Sequence, residues 1–196
     1  MTLTYRTLYI LVEGGDDARF FERVVRPMFE NEFGHVQLWQ YSQQEKEKVN
    51  TFLDSIRAMQ AAGIADLIIV ADLDESPCVT DRKERILSGF RSLSAGQSPG
   101  QPSGPYSSTR ILIVCREIDS WYLAGLSDEE CRSMGLPATL DSTDHISKEQ
   151  FLSLMPDRFD SKAEFMLEIL QVFDHETAAS KNTSFSYFMR KYKADE

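Results

Sequence analysis

Three runs in the chain are apolar at every position: Leu8 to Val12, Leu67 to Ala71 and Ile111 to Cys115. Short unbroken runs of this kind predict strands buried on both faces, as in a parallel sheet. The first strand, from Thr7, stops at Glu13-Gly14-Gly15, where a tight turn is expected, and Asp16 or Asp17 then caps a helix. In that helix Phe20, Val24 and Met28 run beside Phe21, Val25 and Phe29, two i, i+4 rows that make a broad apolar face. Pro27 is expected to end or kink it. Val36 to Tyr41 alternates with period two, the mark of a half-exposed strand, and Val49, Phe52, Leu53, Ile56 and Met59 predict a second amphipathic helix ending near Gly63. A third helix is expected over Asp81 to Leu93, followed by a Ser-, Gly- and Pro-rich loop from Ser94 to Ser108. Strands alternating with helices predict an α/β sandwich around a mainly parallel sheet. Beyond Leu126 no strand run occurs. Ala163, Met166, Leu167, Leu170 and Phe173 predict one helix, and Phe185, Phe188, Met189 and Tyr192 another. The expected organisation is therefore an α/β domain over 1–125 with a helical C-terminal extension over 126–196 packed on it, without internal repeats.

Length and charge narrow the function classes. At 196 residues, with 42% hydrophobic and 27% charged residues, the chain has the make-up of a folded domain with an appended element. No apolar run approaches the 18 or so residues of a membrane span, so no membrane partner is expected. Met1 and Thr2 lead into the first strand without a charged n-region, apolar h-region or cleavage site, and a cytoplasmic protein is expected. The formal charge of −10 repels polyanions at long range, so any nucleic-acid contact has to use local basic patches or bound cations. Cys78, Cys115 and Cys131 lack C-x-x-C spacing, and His35, His145 and His175 are isolated, which speaks against a disulfide framework and a zinc site.

The informative chemistry lies at the strand ends, where parallel sheets place their functional crevice. The first buried strand ends in Glu13, the second in Asp72 and Asp74, and the third is followed by Glu117 and Asp119. Two carboxylates about 4 Å apart repel by roughly 4 kcal/mol at an effective dielectric near 20, so a convergent cluster calls for a cation or a raised pKa. Mg²⁺ or Mn²⁺ meets that need and leaves positions for phosphate oxygens, which suits phosphodiester chemistry. In extended backbone Asp72 and Asp74 would point to one side and Leu73 into the core. Helix capping is the competing use of such acids. It suits Glu13 less, because Gly14 and Gly15 free the backbone there for a close approach.

Val12-Glu13-Gly14-Gly15-Asp16-Asp17 after a buried strand, followed later by Asp72-x-Asp74, resembles the Toprim catalytic domain of topoisomerases, primases and OLD-family nucleases. The nuclease branch is the nearer one. The segment from Arg116 to Gly125 and the Lys181-Asn182-Thr183-Ser184-Phe185 turn are similar to parts of small DUF4276-type Toprim-like bacterial proteins. The resemblance implies a three-layer sandwich with a mainly parallel four-stranded sheet. It also implies a metal-dependent nuclease or related phosphoryl-transfer enzyme acting on DNA or RNA, in a setting of bacterial defence against phage. Carried onto this chain, Glu13 is the acid/base or metal ligand, Asp72 and Asp74 hold Mg²⁺, Glu117 completes a second metal site, and Lys181 neutralises the transition-state phosphate. Gly14, Arg82, Lys83 and Arg116 are the expected substrate contacts. Neither an OLD-type ATPase domain nor a topoisomerase tyrosine is present, so strand passage and priming are not expected.

Lys181, Arg190, Lys191 and Lys193, with Tyr187 and Tyr192 between them, could follow a phosphate backbone and stack bases, although Phe185, Phe188, Met189 and Tyr192 also fall at core spacing. Two rivals stand beside the nuclease. Asp72-Leu73-Asp74-Glu75-Ser76 also resembles the opening motif of haloacid-dehalogenase phosphatases, which would make Asp72 a covalent nucleophile. A non-catalytic domain that binds a partner protein or a second copy of itself is the other.

Overall fold

The computed structural model describes residues 6–90, 111–136 and 140–192. The chain start at Met1 and Thr2, the loop expected over Ser94 to Ser108, and Lys193 lie outside the described residues. The chain divides into two compact units, 1–113 and 114–196, twelve residues before the boundary expected from sequence.

The first unit is built on strands β1 (Thr7–Val12), β2 (His35–Gln40), β3 (Ala65–Asp72) and β4 (Ile111–Val114), in the sheet order β2-β1-β3-β4. The sheet is all-parallel. Parallel neighbours need crossover connections, and helices supply them. β1 and β3 are central, which explains their unbroken apolar runs. β2 lies at an edge and shows the alternation expected there, with Val36 buried between exposed His35 and Gln37. Asp66 near the start of β3 is tolerated in a buried strand because Arg6 pairs with it.

Helix α1 (Gly15–Phe20) runs into a π-helical turn (Phe21–Val25) and then α2 (Arg26–Phe29). Pro27 does not end this helix. Proline lacks an N–H and its ring crowds the carbonyl four residues back. The widened turn, in which the Arg26 N–H reaches Phe21 O, takes up that misfit. Helices α3 (Lys46–Ala61) and α4 (Val79–Gly89) pack on one sheet face. Val49, Leu53 and Ile56 of α3 and Ile86 of α4 join Leu11, Leu67, Ile69, Ala71, Ile111 and Ile113 in one apolar cluster. Strand alternation sends Leu8, Ile10, Val12, Ile68 and Val70 to the opposite face, and these are buried too.

The second unit is helical: α5 (Asp119–Ala124), α6 (Asp128–Met134), α7 (Lys148–Leu154), α8 (Lys162–Gln171), α9 (His175–Lys181) and α10 (Thr183–Tyr192). Ser127 with Glu130, and Ser147 with Gln150, form reciprocal capping boxes that start α6 and α7. Gly135, at φ +84°, ends α6 in the left-handed conformation that glycine adopts without cost. Gly125 answers a packing demand instead, since a Cβ there would fall 2.2 Å from the Phe173 ring.

A buried polar network sits at the centre of this unit. The Asn182 amide donates to Ser120 Oγ at 3.3 Å and Thr143 Oγ1 at 3.1 Å, and its carbonyl accepts from Ser184 Oγ at 2.8 Å and the Phe185 N–H at 3.0 Å. Ser184 Oγ in turn accepts from the Trp121 indole N–H at 2.8 Å. Trp121 packs edge-on against Phe185, with centroids 4.9 Å apart. Truncating Asn182 leaves several buried groups without partners, each worth about 1–3 kcal/mol. Asn182→Ala should therefore lower stability by about 2–4 kcal/mol in urea titration, with Thr143→Ser nearly silent.

Candidate functional site

The parallel register of β1 and β3 creates the site. Leu11 stands opposite Ile69, so Glu13, just beyond β1, comes level with Ala71, one residue before β3 ends at Asp72. The Asp72 N–H donates to Glu13 Oε2 at 3.2 Å, and the Tyr41 hydroxyl, just beyond β2, donates to Glu13 Oε1 at 3.0 Å. Tyr41 continues the pairing, its N–H donating to Val12 O at 3.0 Å, and the Ser42 hydroxyl donates to the Glu13 carbonyl. Burial, the Glu13 charge and the hydrogen bond to it hold the Tyr41 phenol well above the ordinary range, so it acts as a donor at all ordinary pH.

Arg82 on α4 closes the arrangement from above β3. Its Nε donates to the Asp72 carbonyl at 2.7 Å. Its Nη2 stands 2.8 Å from Glu13 Oε1 and 2.8 Å from Asp74 Oδ2, so two carboxylates from different strand ends share one guanidinium nitrogen. Asp74 does not continue the extended backbone expected of it. It lies at φ +48°, in the left-handed region where Asp is tolerated, inside a turn closed by the Ser76 N–H on Leu73 O at 3.1 Å. Leu73 points into the α3/α4 cluster as expected.

Asp17 is the second buried acid here. The Gly14 N–H donates to its Oδ2 at 3.0 Å, so it caps α1 in the way expected of Asp16 or Asp17. Its Oδ1 is buried without a hydrogen-bond partner, and the residue is 4% exposed. Burial, helped by the Glu13 and Asp16 charges and opposed by the Gly14 bond, raises its pKa to about 6.

The structure thus brings together the Glu13 and Asp74 carboxylates and Arg82, with Asp72 joining them through its main-chain N–H and carbonyl and Gly14 at the adjoining helix start. Lys83 lies one position, about 100°, further round α4. Arg116, at φ +60°, and Glu117, whose Oε2 is buried without a hydrogen-bond partner, belong to the second unit. So does Lys181, whose ammonium donates to Leu126 O at 2.7 Å and lies 3.8 Å from Asp128. Asp119 forms a buried ion pair with Lys162. Tyr41 and Asp17 complete the site of the first unit. Tyr41 was legible only as the end of an alternating strand.

The donor set suits a hard divalent cation: carboxylate oxygens, in excess over the one guanidinium that meets them, with the buried Asp17 oxygen unpartnered nearby. Among the described residues no three His, Cys, Asp or Glu side chains stand close enough together to hold one ion. Arg82 holds the place between Glu13 and Asp74. No protein-family model, curated protein or solved structure matches the chain.

Two outcomes test this geometry. Removing the guanidinium in Arg82→Met leaves Glu13 and Asp74 repelling each other, and because both pairs are partly solvated the loss should be about 1–2 kcal/mol in chelator. Melting with Mg²⁺ or Mn²⁺ should restore most of it. For Asp17, a folded-state pKa raised above the unfolded value means that ionisation opposes folding. Its contribution is favourable at low pH and is lost as pH rises from about 4 to 6, about 3 kcal/mol in all. Asp17→Asn should flatten the stability profile across that window and raise the melting temperature at pH 8 in chelator.

Proposed function

We propose that the chain is a Mg²⁺- or Mn²⁺-dependent phosphodiester hydrolase of the Toprim kind, acting on nucleic acid. The observation that carries this reading is the sharing of Arg82 Nη2 by Glu13 and Asp74 at 2.8 Å each, with the Asp72 carbonyl held by the same guanidinium at the strand end. Two carboxylates share this one guanidinium, and such an excess of acid favours capture of a further positive charge. In this reading Glu13, Asp72 and Asp74 would hold the ion only after their side chains draw together, since as they stand they form no three-ligand group; when bound, the ion would supply Lewis-acid polarisation of a phosphoryl oxygen and a water of lowered pKa.

The chain's own groups have separable parts in this reading. Tyr41 and the Asp72 N–H fix the Glu13 carboxylate from two sides, so it is oriented for proton transfer before substrate arrives. Asp74 is half exposed at the rim, the side from which a phosphate would approach. Arg82, once released from the acids, offers a planar pair of donors that matches two phosphate oxygens. The reading rests on the first unit alone. Arg116, Glu117 and Lys181 carry no part of it. A cytoplasmic setting and a role in defence against phage belong to the same proposal.

The test is metal-dependent cleavage of DNA and RNA by purified protein. Activity should fall by about 100-fold or more in both Glu13→Gln and Asp72→Asn, with both variants still folded by circular dichroism at the assay temperature. A phosphoenzyme on Asp72 formed from small phosphate esters would replace this reading with the phosphatase. Inactivity toward both substrate classes, with no thermal shift on adding Mn²⁺, would replace it with a binding domain.

A further inference from the structure

The second unit carries a half-open crevice of about 270 Å³ lined by Ser142, Ser180, Lys181, Thr183, Ser186 and Arg190. Ala179 is the only apolar side chain in the lining, and the volume falls below the roughly 300–1,000 Å³ of pockets that enclose drug-sized ligands. A small, strongly polar group fits such a space better than a base or an acyl chain.

The balance of donors and acceptors says which polar group. Asp144 also lines the crevice, but its Oδ1 accepts the Thr183 N–H at 2.7 Å and its Oδ2 the Thr183 hydroxyl at 2.5 Å. The Ser180 hydroxyl is turned to Thr177 O at 2.7 Å. Ser142 Oγ accepts the Asp144 N–H at 3.3 Å, which leaves its own O–H to donate. Lys181 gives one of three ammonium donors to Leu126 O and stands 3.8 Å from Asp128, so its charge is already partly answered. Ser186 and Arg190 add a hydroxyl and a guanidinium on the stripe of α10 that starts at Thr183, at i+3 and i+7. The opposite side of α10 is committed to the core through fully buried Phe185 and Phe188. What the crevice offers is therefore donors in excess, with the exposed Arg190 among its lining residues. Beside it Tyr187 is exposed and its hydroxyl accepts from Lys191 Nζ at 3.1 Å, a polar aromatic face next to the Arg190 position.

We infer that this crevice is a phosphoryl-binding subsite, in which the Arg190 guanidinium takes two phosphate oxygens and the Ser142 and Ser186 hydroxyls take others. It deepens the nucleic-acid reading above but stands on the second unit alone, so the two can fail separately. The phosphoryl group has two sources, a nucleic-acid backbone or a free phosphorylated molecule.

The test uses the full chain in chelator, so that no divalent ion contributes. Inorganic phosphate is titrated while the backbone amides of Ser142, Thr183, Ser186 and Arg190 are followed by NMR. Saturable shifts confined to these amides are expected, weakened about tenfold or more in Arg190→Gln and kept in Lys191→Gln and Glu13→Gln. Arg190 is exposed, so its replacement should leave the melting temperature unchanged and loss of binding cannot be put down to unfolding. Absence of saturable shifts, or equal shifts in Arg190→Gln, overturns the inference. Competition between thymidine 5′-monophosphate and a short single-stranded oligonucleotide then separates the sources: an advantage of about tenfold or more for the oligonucleotide assigns the subsite to a nucleic-acid backbone, and parity assigns it to a free phosphorylated ligand. Loss of nuclease activity in Glu13→Gln with phosphate binding intact would keep the two readings apart.

Discussion

Like charges meet at the carboxyl end of the first unit because the parallel pairing of β1 and β3 leaves them no choice. With Leu11 opposite Ile69, the residue after β1 and the last residue of β3 are neighbours, and in this sequence both are acids. Arg82 makes the arrangement tolerable. It bonds the Asp72 carbonyl as well as the Glu13 and Asp74 carboxylates, and so ties the start of α4 to the end of β3. The turn between them bends Asp74 into a left-handed conformation, a cost on the order of 1 kcal/mol that the ion pair helps to offset. Leu73 anchors the same turn from below, in the cluster that holds α3 and α4. Site and fold are coupled through these few residues.

How legible this was from sequence depended on how local each signal is. Strands buried on both faces announce themselves as unbroken apolar runs, and acids at their ends are visible in the same glance, so β1, β3, β4 and the trio Glu13, Asp72, Asp74 could be read directly. The part of Tyr41 could not. It is set by the β1–β2 register, which no local pattern encodes. Arg82 was visible as a basic residue next to the D-x-D turn, yet its bond to the acids rather than to a substrate follows from where α4 returns over the sheet. Pro27 shows a different limit: its effect depends on whether the turn before it can widen, and here Phe21 to Val25 does.

The second unit was less legible because its order comes from caps and polar contacts more than from hydrophobic period. α6 and α7 are seven residues each, too short for a convincing apolar stripe, but Ser127-x-x-Glu130 and Ser147-x-x-Gln150 mark their starts for a reader who looks for capping boxes. The Lys181 to Phe185 turn reads in sequence as a reactive segment. Its Asn182 and Ser184 side chains turn out to be bonded inside the unit, where they join Trp121, Ser120 and Thr143. A polar motif before a helix can be a structural hub as readily as a reactive one.

Charge sets the remaining constraint. A chain of net charge −10 repels a polyanion on approach, and at physiological ionic strength that repulsion fades over about 8 Å. Inside that distance only fixed local groups decide. The first unit answers with acids in excess over Arg82, a surface that a polyanion could meet only through added cations. The crevice of the second unit answers with donors in excess and the exposed Arg190 among its lining residues. On the proposed reading, an acidic protein that met phosphates by such short-range means would have little electrostatic steering to gain from its surroundings. Affinity then depends on how well a few donors are placed, and less on the sum of charges.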